Sequence, residues 1–146
     1  MRILGIDYGD ARVGIAITDA LNITVQGLET IKRKNSDKIV LKRLEEIIKN
    51  YNIEKLVIGM PYNMNGTENK RTEVTEKFIH KLKCKFNKIQ IDIMDERLTT
   101  VAAHKTMNFL EINKHKKRNI VDTISAEYIL ETYLNKMKNA LQNSEK

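Results

Sequence analysis

The sequence predicts an α/β fold in which a mixed five-stranded sheet is flanked by helices. The chain opens with two apolar, β-branched runs joined by a short polar turn, which is the pattern of a β-hairpin. Further along, segments with apolar residues at helical spacing alternate with short apolar runs, and this alternation is typical of helices packed on a sheet. We therefore expect a layered domain that begins with antiparallel strands.

Composition limits the domain organisation and the class of partner. The 146 residues fit one ordinary domain, predicted over residues 1–138 and followed by a polar tail at 139–146. The formal charge of +7 favours an anionic partner, nucleic acid first. Cys84 is the single cysteine, so no internal disulfide can form, and no apolar stretch has signal-peptide or membrane-spanning length. These features predict a cytoplasmic protein without a membrane partner.

Three strands are predicted at the start of the chain. Residues 3–8 and 13–18 form the hairpin, and Gly9 can adopt the positive φ that a tight turn requires. Residues 24–31 are the third strand, with Gly27 as a bulge or weak point. Three antiparallel strands should thus open the fold.

The middle of the chain alternates helices with two strands. Ser36 fits the N-cap of a helix that ends at Tyr51. Residues 56–59 are predicted as a strand covered on both faces, and residues 60–71 follow as a polar loop, where α/β folds place their sites. A second helix leads to residues 88–94, a half-exposed fifth strand. The residues expected on the core faces of the two helices are Val40, Leu44, Ile47, Ile48 and Tyr51, then Val74, Phe78 and Leu82.

The last third of the chain reads as two helices separated by a basic loop. Thr99 or Thr100 caps the first of them, which extends through Phe109. Residues 114–119 form the loop, and the final helix follows with Asp122 in its first turn.

Three acidic positions stand out by their location. Asp7 lies inside an apolar strand, and a carboxylate there is costly to desolvate unless it is hydrogen-bonded, paired or bound to a cation. Asp95 and Glu96 end the fifth strand, and Asp122 begins the last helix. Each has an ordinary alternative, since Asp7 could cap the turn and Asp122 could complement the helix dipole. Glu96 could be a surface residue paired with Arg97.

Together, carboxylates from three separate elements form the oxygen donor set that Mg²⁺ or Mn²⁺ prefers. Two such ions about 4 Å apart can activate an attacking water and stabilise the leaving oxygen of a phosphodiester. A basic protein with this pattern of acids is a candidate nuclease, and strand alternation alone leaves Asp95 and Glu96 both open.

Four short runs resemble one known family. They are Gly-Ile-Asp-Tyr-Gly at 5–9, Gly-Met-Pro at 59–61 with Asn63 and Gly-Thr-Glu at 66–68, Asp-Glu-Arg-Leu-Thr-Thr at 95–100, and Val-Asp-Thr-Ile-Ser-Ala at 121–126. In order and spacing, over nearly the whole chain, they resemble the YqgF (RuvX) family. These RNase H-like proteins are described as Holliday junction resolvases and as nucleases that mature precursor 16S ribosomal RNA. The resemblance implies an RNase H-like fold, and catalytic and metal-binding roles for Asp7, Glu96 and Asp122.

The sequence departs from the family pattern at two places. Asn69-Lys70 stands where the family often has Gly-Pro, and Ser125 replaces a more usual Ala. Neither position is a proposed metal ligand, so only the loop conformation is put in question.

The resemblance implies a nuclease acting on structured RNA, in maturation of the 5′ end of 16S rRNA, with the pre-ribosomal particle as a further partner. The alternative is a Holliday junction resolvase acting on branched DNA, which would require a stable dimer. No coiled coil or dimerisation helix is evident, so a monomer or weak homodimer is expected. Two other classes are a non-catalytic RNA-binding assembly factor, against which the complete acid set argues, and an ATPase fragment, whose nucleotide cleft needs two domains.

Two polar segments, residues 63–71 and 114–118, are expected to contact the substrate beside the acids. With neighbouring cations, the residues predicted to bind substrate are Arg12, Asn63, Thr67, Lys70, Arg71, Arg97, Lys116, Lys117 and Arg118.

Overall fold

A computed structural model describes residues 2–96 and 114–144, with the backbone alone described at 114–122 and 143–144. The strands are β1 (Arg2–Tyr8), β2 (Arg12–Thr18), β3 (Val25–Lys32), β4 (Ile53–Met60) and β5 (Gln90–Asp95), and the helices are α1 (Asp37–Tyr51), α2 (Lys70–Lys85) and α3 (Lys114–Ser144). The sheet order is β3-β2-β1-β4-β5. The β1–β2 and β2–β3 pairs are antiparallel, whereas β1–β4 and β4–β5 are parallel. The predicted mixed five-stranded sheet with three antiparallel N-terminal strands is confirmed.

The sheet separates two apolar cores. Alternate residues of each strand face opposite sides, so that along β1 Leu4, Ile6 and Tyr8 join the core beneath α1 and α2 while Ile3 joins the core beneath α3. The same alternation places Asp7 on the α3 side of β1. Among the residues that the structure describes, the core under α3 includes Ile3, Ala16, Val57, Met94, Ala126, Ile129, Leu130 and Tyr133.

Helix α1 has the predicted ends. Ser36 is the N-cap, and its hydroxyl accepts a hydrogen bond from the Lys38 N–H at 3.3 Å. Asn52 ends the helix in the left-handed region, with φ of 54°. The prediction that Tyr51 lies on the core face is wrong, because its ring is exposed in the last turn and stacks under the Arg2 guanidinium instead.

Two glycine predictions have different outcomes. The bulge predicted at Gly27 is confirmed, since Ile15 pairs with Glu29 but Ala16 pairs with Gly27. The positive φ predicted for Gly9 is wrong. Gly9 is needed for a different reason, because a Cβ atom there would lie 2.6 Å from the Arg12 carbonyl oxygen, to which the Gly9 N–H donates at 2.9 Å.

Helix α3 is longer than predicted at both ends. It begins at Lys114, so the segment 114–119 is helical and not a loop, and Asp122 lies beyond the second turn and not in the first. Lys and Arg are good helix formers, and no Gly or Pro interrupts this segment. The helix continues to Ser144, so residues 139–144 of the predicted tail are helical. The helix predicted to be capped by Thr99 or Thr100 lies outside the described residues. No described helix is both long and apolar enough to cross a membrane.

A network of charged groups fastens the end of β1 to both helices below it. The Asp37 carboxylate accepts from the Tyr8 hydroxyl at 2.6 Å, from Arg33 Nε at 2.8 Å and from Lys81 Nζ at 2.7 Å. The Tyr8 ring stacks on Phe78 with centroids 4.1 Å apart. Burial raises the pKa of Asp37, but these three donors outweigh burial and lower it from 3.8 to about 2. The network therefore joins β1, the β3–α1 connection and α2.

We expect Asp37→Asn to lower the free energy of unfolding at neutral pH by about 1–3 kcal/mol, because charge-assisted hydrogen bonds become neutral ones. The pKa of Asp37 is lower in the folded state, so its stabilisation is complete above about pH 4 and is lost as the pH falls toward 2. Urea unfolding over this range measures both effects.

Glu54→Gln, at an exposed carboxylate on β4, is the control for the pH series. Wild type and Glu54→Gln should lose stability below pH 4 more steeply than Asp37→Asn does. Parallel pH profiles for wild type and Asp37→Asn would show that the network does not stabilise the fold.

Candidate active site

Asp7 lies near the carboxyl end of the central strand, between two residues that have no side chain. On one side it pairs directly with Gly14 of β2. On the other side Ile6 pairs with Ile58 of β4, which places Gly59 next to Asp7. The β1–β2 turn is closed by its own backbone, and Asp7 lies within the strand ladder. The space beside the carboxylate is therefore bounded by backbone in both neighbouring strands.

Glu96 follows β5 on the same side of the sheet as Asp7. It is 8% exposed, and it lies two residues after Met94, which belongs to the core under α3. A Cβ atom built on Gly59 would lie 3.3 Å from the Glu96 carboxyl carbon, so this carboxyl group extends over the bare position on β4. Strand alternation places Asp95 on the opposite side of β5. The geometry thus favours Glu96 over Asp95 as the partner of Asp7.

Helix α3 crosses the sheet at close range. A Cβ atom on Gly5 would lie 2.9 Å from the Ala126 carbonyl oxygen, so helix and strand backbones nearly touch. Two turns further on, the Tyr133 hydroxyl accepts from Lys55 Nζ at 2.8 Å near the start of β4, and about one turn before Ala126 the Thr123 side chain lies against Gly27 of β3. Helix α3 therefore crosses the sheet from β3 over β1 to β4. Only the backbone of Asp122, the residue before Thr123, is described.

Another acid on α3 was not singled out by the sequence. Glu127 is partly buried and accepts a hydrogen bond from the Gly27 N–H. Burial and the nearby Glu131 carboxylate raise the pKa of Glu127. Gly27 lies on β3, two strands away from β1, and pairs with Ala16 of β2. Glu127 therefore holds the bulge against the helix and is separate from Asp7.

The loop between β4 and α2 is held by its own side chains. Asn63 Nδ2 donates to Thr67 Oγ1 at 3.0 Å, and Asn69 Nδ2 donates to Asn63 Oδ1 at 2.8 Å. Asn69 also forms a capping box with Thr72 at the start of α2. The predicted substrate contacts Asn63 and Thr67 therefore shape the loop, and Asn69, the departure from the family pattern, has the role of helix cap.

Three of the cations predicted to bind substrate have side chains that the structure describes. Arg12 starts β2 on the α3 side of the sheet, two residues before Gly14, and Lys70 and Arg71 are exposed in the first turn of α2. Arg97 lies outside the described residues, and the side chains of Lys116, Lys117 and Arg118 are not described. Among the side chains that are described, no three His, Cys, Asp or Glu residues form a group that could hold a metal ion. The triad with Asp122 stays a prediction.

Comparison with known proteins identifies the family. Residues 1–136 match the family model described as "RuvX: Holliday junction resolvase". A protein of Ruminiclostridium cellulolyticum named "Putative pre-16S rRNA nuclease" is 55% identical over 137 residues, which cover 94% of this chain and 96% of the relative. Proteins of the same name from Acetivibrio thermocellus and Clostridium tetani are 48% and 47% identical, covering 92% and 95% of this chain and 95% and 99% of their own.

Two solved structures share the fold at low sequence identity. One is RuvC of Thermus thermophilus in complex with a Holliday junction substrate, with a TM-score of 0.55 at 12% identity over 94% of this chain and 96% of RuvC. The other is the yeast mitochondrial Holliday junction resolvase Ydc2, with a TM-score of 0.52 at 10% identity over 97% of this chain and 83% of Ydc2. Both confirm the predicted RNase H-like fold.

The sheet order and the helix packed closely on it define a domain of the RNase H-like class, with Asp7 and Glu96 at one end of β1 and β5. The chain belongs to the RuvX family, as its sequence motifs predicted. It is accordingly a hydrolase that acts on ester bonds.

Gly59→Ala should reduce nuclease activity far more than stability. Its methyl group would lie 2.5 Å from Ile129 Cδ1, which can move, and 3.3 Å from the Glu96 carboxyl carbon, which would have to give way. Overpacking of this kind costs about 1–3 kcal/mol.

The double variant Gly59→Ala/Ile129→Val removes the colliding methyl group of Ile129 and should recover most of the lost stability. If activity stays low in the double variant, the cause lies at Glu96. If the double variant regains activity together with stability, Gly59 matters only for helix packing. Thermal melts and rates on one labelled RNA give both quantities.

Proposed function

We propose that this protein is a metal-dependent nuclease that hydrolyses phosphodiester bonds in maturation of the 5′ end of 16S rRNA. One observation carries the proposal. Asp7 and Glu96 lie on the same face of the sheet, and Gly59 is the residue of the intervening strand β4 that lies next to both. The names of relatives at 47–55% identity supply the substrate class. We infer that it works in the cytoplasm as a monomer or weak homodimer, with the pre-ribosomal particle presenting the RNA.

The residues present fit a hard divalent cation. Asp7 and Glu96 offer carboxylate oxygens, and Asp122 on α3 is the third ligand that the family resemblance implies. Asp7 pairs with Gly14 on one side, and on the other side the Glu96 carboxyl group extends over Gly59, so both carboxylates can supply oxygens to an ion that keeps part of its water shell. Asp7, Glu96 and Asp122 would hold Mg²⁺ or Mn²⁺, as two ions if the chemistry is of the two-metal type. Bound there, such ions supply an activated water and charge neutralisation at the leaving oxygen.

The chain itself contributes orientation and charge. The backbone at Asp7 is held in position from the opposite face of the sheet, because the next residue, Tyr8, donates a hydrogen bond to Asp37 and stacks on Phe78. Arg12 places a cation on the same face as Asp7, one diagonal position away on the neighbouring strand. The exposed Lys70 and Arg71 border the strand ends from the start of α2. Together they can bind the phosphates on either side of a scissile bond.

A second candidate function is resolution of Holliday junctions, which the description of the matching family model favours. Symmetric cleavage of a junction needs two active sites, hence a stable dimer. Cleavage of precursor 16S RNA and of a four-way DNA junction at equal salt concentration, together with the oligomeric state by sedimentation, distinguishes the two functions.

The variants Asp7→Asn, Glu96→Gln and Asp122→Asn should each abolish most cleavage and leave the fold intact. Loss of a metal ligand removes several kcal/mol of transition-state stabilisation, which corresponds to roughly a hundredfold to ten-thousandfold in rate. Asp95→Asn, on the opposite side of β5, is the matched control and should lose much less. The measurement is the single-turnover rate on labelled precursor RNA with Mg²⁺ or Mn²⁺. An essential Asp95 beside a dispensable Glu96 would overturn this assignment.

The metal dependence can also be measured without catalysis. Two carboxylates about 4 Å apart repel by up to roughly 4 kcal/mol at an effective dielectric constant near 20. Asp7→Asn removes one of these charges, so without metal it should be at least as stable as wild type. Divalent metal binds only the folded site, so Mn²⁺ should raise the melting temperature of wild type and do so much less in Asp7→Asn.

Thermal melts in chelator and in millimolar Mn²⁺ make this test, with Glu54→Gln as the control that keeps the full metal response. An Asp7→Asn variant that is destabilised in chelator and still responds fully to Mn²⁺ would make Asp7 a structural residue.

A further inference from the structure

A pair of cations lies beside the candidate active site. Arg12 at the start of β2 pairs directly with Lys32 at the end of β3. Ile31 faces the core under α1 and α2, so Lys32 faces the α3 side, as Arg12 and Asp7 do. The sequence analysis considered Arg12 but not Lys32, because the pairing register that brings them together is not visible in the sequence.

The Lys32 side chain is the available cation of this pair. Residues directly opposite in an antiparallel pair have Cβ atoms about 4.5–5.5 Å apart, so the two cations start from neighbouring positions. Within the described residues the exposed Lys32 ammonium makes no hydrogen bond or ion pair. A phosphate lying over this end of the two strands would give the Lys32 ammonium a partner.

The pair is held in place by a rigid connection. The Arg33 N–H donates to the Ala11 carbonyl at 2.9 Å, and Arg33 Nη1 donates to the Asp10 carbonyl at 2.9 Å. Lys34 and Asn35 then turn the chain into α1 with φ of 50° and 58°, a left-handed conformation that is uncommon outside glycine. The two strand ends that carry Arg12 and Lys32 are thus tied to each other next to the β1–β2 turn.

The location connects the pair to the acids. Asp7 is directly opposite Gly14, so Arg12 is its diagonal neighbour at about 7–8 Å, and Lys32 lies one strand further out. Gly14 lies between Asp7 on β1 and Thr30 on β3, so Asp7, Arg12 and Lys32 lie on one face of three neighbouring strands at the same end of the sheet.

We propose that Lys32 and Arg12 form a phosphate clamp that binds the backbone of the substrate strand beside the bond to be cut. This inference rests on the proposed nuclease function. The ligand is a phosphodiester of a nucleic-acid strand, and Lys32 is a substrate-binding residue of the same site as Asp7. The clamp positions the strand and takes no part in bond breaking.

The test is equilibrium binding of a fluorescent RNA that spans the 5′ precursor junction of 16S rRNA, measured in chelator over a series of salt concentrations. Lys32→Ala should weaken binding and reduce the slope of log K against log salt by about 0.7, the value for one phosphate contact on a single strand. Lys32→Arg should restore the slope. Lys42→Ala, with the same change of charge on α1 on the other face of the sheet, should bind as wild type does.

Stability gives a second readout with the opposite sign. Lys32→Ala removes an ammonium that makes no hydrogen bond or ion pair within the described residues, so its melting temperature should equal or exceed that of wild type while its binding weakens. If Lys32→Ala has the same salt slope as Lys42→Ala, or if it melts below wild type, the clamp is refuted. If wild type binds the RNA with the expected Lys32 contribution but cleaves neither this RNA nor a DNA junction in Mn²⁺, the clamp stands and the proposed nuclease function fails.

Discussion

The close approach of α3 to the sheet is the constraint on which the candidate site depends. Gly5 allows the Ala126 carbonyl to lie almost on β1, and Gly59 leaves space on β4 that Ile129 and Glu96 share. Any side chain at these two positions would push the helix or the carboxyl group away. Ligands from a strand and from a helix can converge only if the two backbones lie this close. The small residues of β1 and β4 are thus a condition for the site.

Adjacent residues on the two faces of β1 have different roles. Tyr8 on one face is buried, stacked and hydrogen-bonded to Asp37, whereas Asp7 on the other face is flanked by glycines. A functional group is best held by a backbone whose opposite side is locked by packing and hydrogen bonds. The ionic network below the strand therefore does more than connect α1 and α2. It fixes the strand end from which Asp7 extends and, through Arg33, the turn that follows.

Much of this arrangement can be predicted from the sequence, because it depends on local pattern. Alternation of apolar residues predicts the hairpin, and the Gly27 bulge and the Ser36 cap follow from local chemistry. The start of α3 could not be predicted in the same way. Lys and Arg have helix propensities close to that of Ala, so the basic segment 114–119 carries neither a break nor a cap to distinguish helix from solvated loop.

The contacts that the sequence could not indicate are those that depend on register or on three-dimensional closure. Asn63 and Thr67 are polar residues in a loop beside the acids, which predicts substrate contact, and the structure shows in addition that their hydrogen bonds hold the loop. Likewise Lys32 becomes part of the site only through its pairing with Arg12. Side-chain chemistry in a sequence indicates what a residue can bind, whereas the partner it meets is decided by tertiary structure.

The distribution of charge gives a physical reason for a basic protein to keep acids at the end of its central strand. Asp7 and Glu96 form one group of like charges on β1 and beyond β5, and Arg12 and Lys32 form another on β2 and β3. Like charges at short range repel, so each group favours a ligand of opposite charge. In the proposed complex a divalent cation would neutralise the acids, and the phosphates of the substrate would neutralise the cations. The acids alone would repel a phosphodiester, so a bound metal should strengthen the binding of a strand that lies over Asp7. The cations on the neighbouring strands attract the same backbone with or without metal, and the surplus of positive charge over the whole chain favours its approach. Metal binding and substrate binding should therefore strengthen each other at this end of the sheet.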